Sequence, residues 1–264
     1  MKANQSGNTR AVGRHLALGL VGLASSPAAD HTAALAQPFS RNETSIQLLV
    51  RTKIAQGLLT RDALTRDSLW FGYSQLSHWQ FFNSGLSRPF RTTDHEPELT
   101  YVYPAQADLP LGWRLRFVGV TAVHQSNGQR LPLSRSWNRT VLMAGVERGP
   151  RLRLTGRVWK RMPEVAASDD NPDISDFIGR GELAGSWDFN AYNTFRVALR
   201  HSLKSMGKGS ARLEWFKSLG DEGQALGKNG LRLHVQLFSG YGDTLVDYNR
   251  QRTKLSMGLS LVDW

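Results

Sequence analysis

Between residues 151 and 161 every second residue is apolar or small (Leu152, Leu154, Gly156, Val158), while Arg151, Arg153, Thr155, Arg157, Trp159 and Arg161 fill the positions between. The same period returns in Leu231, Leu233, Val235 and Leu237 against Arg232, His234 and Gln236, and in Leu255, Met257, Leu259 and Leu261 against Lys254, Ser256, Gly258 and Ser260. Successive side chains of an extended strand leave opposite faces, so these stretches present one face suited to hydrocarbon and one suited to water. Read this way, the chain contains about eleven strands: 46–56, 67–82, 93–103, 110–126, 137–147, 151–162, 177–188, 193–203, 209–217, 230–242 and 253–263.

No run approaches the roughly 18 consecutive apolar residues of a transmembrane helix, and mean hydropathy is low at -0.38. A membrane-spanning barrel has this profile, because its alternating strands average apolar and polar residues. A soluble β-sandwich would alternate in the same way. Aromatic residues near strand ends, and Trp264 closing an amphipathic last stretch, favour the barrel. The expectation is therefore all-β: an antiparallel transmembrane β-barrel forming one domain over 30–264, a length that large barrels reach as a single unit. Residues 1–29 read as a secretory signal, with Lys2, Arg10 and Arg14 ahead of an apolar core from Leu16 to Ala24 and a small-residue exit from Ser25 to Ala29.

The chain has no cysteine, which excludes disulfides, thiolate metal sites and cysteine nucleophiles. Its net charge of +11 has two readings: attraction to anionic lipid head groups, or a lumen lined with arginines paired to acids. Basic and aromatic residues do not interleave on a nucleic-acid platform, so a nucleic-acid partner is not expected.

The chemistry concentrates in Thr121-Ala122-Val123-His124-Gln125-Ser126-Asn127-Gly128 and Ser134-Arg135-Ser136-Trp137-Asn138-Arg139. Residues i and i+2 of a strand share a face with Cα atoms ~6.5–7 Å apart, so His124 and Ser126 can act together. If 110–126 and 137–147 pair as a hairpin, Asn138 returns beside His124 and can accept its Nδ1–H. A hydroxyl, an imidazole and an amide then stand as nucleophile, general base and orienting group. A histidine two residues from a serine is common by chance, and the pair alone would carry little. In 137–147 the arginine of Trp137, Arg139, Val141 and Met143 marks the lumen face, which turns Asn138, Thr140 and Leu142 toward lipid.

Taken as a block, these residues resemble the outer membrane phospholipase A family. Asp169-Asp170-Asn171-Pro172-Asp173-Ile174, Ser239-Gly240-Tyr241-Gly242-Asp243, Leu245-Val246-Asp247-Tyr248-Asn249, and Pro89-Phe90-Arg91 with Glu96-Pro97 extend the likeness over most of the chain. The resemblance implies twelve strands, so residues 30–45 must supply a first strand or the chain is truncated at its start. It implies a calcium-dependent phospholipase acting through Ser126, His124 and Asn138. The backbone N–H of Gly128 is the candidate oxyanion donor.

Calcium would be held by the Ser134 hydroxyl and the Gln129 carbonyl, with the Ser87 carbonyl contributed by a second subunit. The resemblance places Leu131 where the family's pattern can carry an acid for a second calcium, so this chain lacks that ligand although Asp170 is present. The Asp169–Asp173 stretch also reads as an Asx-rich turn. The resemblance further implies a homodimer and matches Gln75 to a membrane-embedded glutamine at its interface. A passive porin, or an esterase of another outer-membrane class such as a lipid A deacylase, remains an alternative on the residues alone.

Overall fold

The computed structural model describes residues 14–24, 39–60, 66–88, 90–205, 207–220 and 230–262, with backbone only for 14–24 and 262. Eleven strands form a continuous antiparallel sheet: β2 (Asn42–Gln56), β3 (Ser68–Trp79), β4 (Thr92–Leu109), β5 (Trp113–Ser126), β6 (Ser136–Arg148), β7 (Leu152–Arg161), β8 (Gly181–Asp188), β9 (Asn193–His201), β10 (Gly209–Ser218), β11 (Gly230–Gly240) and β12 (Arg252–Val262). A twelfth, β1 (Arg14–Ala24), pairs antiparallel with both β12 and β2 and closes the barrel.

The strands expected from alternation recur with ends shifted by a few residues, but the first strand, expected from 30–45, is Arg14–Ala24. The stretch from Leu16 to Ala24, expected to be the apolar core of a secretory signal, lies in β1 instead. An apolar run of this length without charge reads equally well as a leader core or as a strand, and only the partners on either side distinguish them. The rest of 1–29, together with Pro89 and Trp264, lies outside the described residues.

Parity along each strand sets its two faces. On β12, Leu255, Met257, Leu259 and Leu261 are exposed whereas Arg252, Lys254, Ser256 and Ser260 are buried. The outer wall is thus a belt of exposed aliphatic side chains, including Leu142, Leu183, Leu199 and Leu213, which water would penalise and hydrocarbon accepts.

Inside, the arginines meet acids: Arg51 with Glu98 at 2.6 Å, Arg139 with Glu96 at 2.6 Å and Arg200 with Glu182 at 2.7 Å. Much of the basic charge is therefore spent on the lumen, as the second reading of the net charge anticipates.

One mouth of the barrel is filled by the β7–β8 and β11–β12 connections. Ile174, Ile178, Leu245 and Tyr248 pack against Val123, Trp137, Val141 and Trp159 on the inner faces of β5–β7. A one-turn helix (Ile174–Phe177), not expected from the sequence, carries the first of these.

Ionic contacts fix the β11–β12 connection. Arg91 bridges Glu43 (2.6 Å) and Asp247 (3.0 Å), Arg252 reaches Asp247 at 2.7 Å, and Lys254 reaches Asp243 at 2.9 Å. The N–H of Leu245 donates to the Asp94 carboxylate at 2.8 Å. Burial opposes ionisation of Asp243, but the Lys254 ammonium and the nearby His78 and Arg252 outweigh it and hold the carboxyl at about 2.

Candidate active site

β5 and β6 pair in the register that the hairpin argument requires, with His124 opposite Asn138 and Ser126 opposite Ser136. Val118, Val120, Ala122 and His124 are exposed while Thr121 and Val123 are buried; on β6, Trp137, Arg139 and Val141 are buried while Thr140 and Leu142 are exposed. His124, Ser126 and Asn138 therefore share the outer wall, on the parity that Arg139 indicates. His124 Nδ1 lies 2.9 Å from Asn138 Oδ1. An amide oxygen can only accept, so Nδ1 carries the proton and Nε2 is left with its lone pair. Ser126, half-buried, stands two residues further along the same face.

The inner face beneath this column is rigidly connected. The Trp137 indole N–H donates to Gln125 Oε1 at 2.9 Å, and the Arg139 guanidinium donates to the same oxygen at 3.2 Å while lying 4.1 Å from the Trp137 ring centroid. These contacts tie β5 to β6 one residue out of phase with the site, so the outward side chains are held by a scaffold they do not share.

The loop from 127 to 135 is organised by the buried Asn127. Its Nδ2–H donates to the Leu133 carbonyl at 2.7 Å, and its Oδ1 accepts from the N–H of Arg135 at 3.0 Å and of Gln129 at 3.3 Å. Gly128 has φ +61, a left-handed conformation that glycine adopts without steric cost, and it is exposed beside Ser126.

Ser134 donates its hydroxyl proton to Asp170 Oδ2 at 2.5 Å, and Asn171 Oδ1 accepts from the Ser136 N–H at 2.9 Å. Of the two readings of the Asp169–Asp173 stretch, the Asx-rich turn is the one the structure displays. Asp169 accepts from the Asn171 N–H in an Asx turn, and the turn carries Asp170 to Ser134.

The expected metal ligands divide between two loops. Gln129 and Ser134 sit together in 127–135, with Asp170 against Ser134, whereas Ser87 lies in the β3–β4 connection, where its carbonyl accepts from the Trp79 indole at 2.6 Å. No cluster of three His, Cys, Asp or Glu side chains occurs among the described residues. The grouped donors are a hydroxyl, a carboxylate and carbonyls, a hard-oxygen set that suits calcium. Leu131 is 74% exposed and offers no ligand.

Gln75 lies on the β3 parity of the exposed Phe71 and is engaged within its own chain. Tyr73 donates to Gln75 Oε1 at 3.0 Å, and Gln75 Nε2–H donates to Ser77 Oγ at 3.1 Å. Tyr73 Oη also lies 2.7 Å from Nδ1 of His95. The sequence reading missed His95. It is paired in register with Ser126 across β4 and β5, and the alternation Thr93, His95, Pro97, Leu99 was the available signal for its outward direction.

A sequence profile of the phospholipase A1 family matches residues 22–261. The chain is 40% identical over 225 residues to a protein described as a putative phospholipase A1 from Neisseria meningitidis serogroup B; the match covers 84% of this chain and 55% of that one. It superposes on outer membrane phospholipase A from Escherichia coli with a TM-score of 0.81 and 28% identity, over 95% of this chain and 92% of that one. It superposes on a Salmonella typhi outer membrane phospholipase dimer with bound calcium at a TM-score of 0.80 and 26% identity, over 100% and 95% of the two chains.

Proposed function

Because the chain belongs to the phospholipase A1 family and folds as an outer-membrane β-barrel, we propose that it hydrolyses the acyl esters of membrane glycerophospholipids through Ser126, His124 and Asn138. One observation carries the reading: the 2.9 Å contact between His124 Nδ1 and Asn138 Oδ1 on the lipid-facing wall, two residues from Ser126. A passive barrel has no use for an imidazole oriented this way against hydrocarbon, where unpaired polar groups are costly.

Ser126 Oγ attacks the ester carbonyl while His124 Nε2 removes its proton, which then passes to the departing lysophospholipid. Water, activated by the same imidazole, attacks the acyl-serine; fatty acid leaves and the hydroxyl is restored. Asn138 holds the tautomer and the ring plane, but being neutral it stabilises imidazolium less than a carboxylate would. The tetrahedral oxyanion is offered the Gly128 backbone N–H; one such donor is worth roughly 3–4 kcal/mol in well-studied hydrolases.

Calcium fits beside this loop on Gln129 and Ser134, with Ser87 of a second copy completing the set. When bound it would add positive charge near the developing oxyanion. The calcium-bound dimer of the Salmonella typhi relative supports both this ion and a homodimer for the present chain. The outward Gln75, a polar group in the wall, is the natural centre of such a contact.

The test is covalent. A long-chain alkyl sulfonyl fluoride should label Ser126, and labelling should vanish in Ser126→Ala. Modification at another residue, with fatty-acid release intact in that variant, would remove the nucleophile assignment.

A further inference from the structure

His95 stands on the opposite flank of Ser126 from Asn138. β4 and β5 pair His95 with Ser126 directly, and opposed residues on one face have Cβ atoms about 4.5–5.5 Å apart. The ring is anchored on one side only. Tyr73 gives its single proton to Gln75, so at Tyr73 Oη the His95 Nδ1 is the donor, and Nε2 stays free. The free edge faces the nucleophile's loop: a Cβ built on Gly128 would lie 4.0 Å from His95 Cδ2, the atom bonded to Nε2.

The surroundings favour an anion. The groups facing the ring are Tyr73 and Gln75 on β3, Thr93 and Pro97 on β4, and His124 and Ser126 on β5, none of them acidic. The carboxylates nearest in sequence, Asp94 and Glu96, point into the lumen, where Asp94 accepts from Leu245 and Glu96 pairs with Arg139. Arg91 is likewise turned inward, to Glu43 and Asp247.

We propose that His95 is a substrate-contacting residue whose protonated Nε2–H binds the phosphodiester of the phospholipid, the anionic group that glycerol places next to the scissile ester. This rests on the phospholipase reading above. Neutral His95 offers a lone pair at Nε2 and repels a phosphate; protonation turns the same atom into a charge-assisted donor. Affinity for phospholipid then rises as the solution becomes more acidic, apart from the role of His124 in the chemical step.

The test uses the full chain in detergent and a dialkyl-ether glycerophospholipid, which has no acyl carbonyl and is not hydrolysed. Its dissociation constant is measured at about pH 5 and about pH 8. Wild type should bind roughly tenfold tighter at the acidic value, as one charge-assisted hydrogen bond allows. His95→Asn and His95→Phe should lose that difference, and a dialkylglycerol without phosphate should show none in any variant.

Retention of the pH dependence in either variant, or its appearance with the phosphate-free lipid, overturns the proposal. Failure of the underlying reading looks different: wild type would release no fatty acid and Ser126 would resist sulfonylation, whereas normal hydrolysis with unaltered binding in the His95 variants defeats this inference alone.

Discussion

His124 and Asn138 face each other directly across two neighbouring strands, 2.9 Å apart between Nδ1 and Oδ1, on a wall that elsewhere exposes many aliphatic side chains. The imidazole is thereby fixed before any lipid arrives, which leads to distinct expectations for the three members of the site.

Removing the nucleophile or the base should end catalysis. Ser126→Ala and His124→Ala are expected to lower kcat by roughly 10⁴-fold or more, with thermal unfolding of the barrel unchanged because both side chains lie outside the packed lumen. Fatty-acid release from phospholipid in mixed micelles measures the first quantity and circular dichroism the second.

Asn138→Ala should behave differently. Loss of an orienting partner costs on the order of tenfold to a hundredfold, so residual turnover should remain measurable in the assay that reads zero for Ser126→Ala. Equal inactivation of the two variants would show that the amide does more than hold the ring.

Chelation of calcium should abolish hydrolysis reversibly. Asp170→Ala, which strips the Ser134 hydroxyl of its 2.5 Å acceptor, should raise the calcium concentration for half-maximal activity by about ten- to a hundredfold. Titration of activity against free calcium decides it, and an unchanged midpoint would detach Asp170 from the site.

The Asp243–Lys254 pair predicts an acid limit. The Asp243 carboxyl is held at about 2, below the ordinary value near 3.9. A carboxyl lowered on folding stabilises the protein fully above the unfolded value and loses that contribution as pH falls toward and through 2. About 2 kcal/mol is at stake. Unfolding of the detergent-solubilised barrel should ease across that window. Lys254→Met should flatten the window while weakening the barrel by about 3 kcal/mol at neutral pH, since Asp243 is left buried without its cation. Denaturant midpoints across pH separate the two effects.

Much of this arrangement could be read from the residues alone. Period-two alternation located β2 to β12 because each strand meets water on one side and hydrocarbon on the other. One buried arginine, Arg139, was enough to assign the face of Asn138. β1 escaped because Leu16 to Ala24 lacks the polar half of the alternation, leaving nothing local to separate a strand from a leader. His95 escaped for another reason: its position opposite Ser126 depends on the register of two long strands joined by the short turn at 110–112 and offset by an irregularity between Pro104 and Ala107, and no short motif encodes that. The packing of Leu245 and Tyr248 beneath β5 and β6 is likewise a contact between distant segments.

Arg139 and Asn138 are sequence neighbours with their backs to one another: one is bolted to Glu96 in the interior, the other steadies an imidazole in the membrane. A barrel wall one residue thick thus carries two independent texts on alternate letters. Substitutions can rewrite the outer text for a new lipid while the inner one keeps the cylinder standing, but a single-residue slip in β6 would exchange them and erase both.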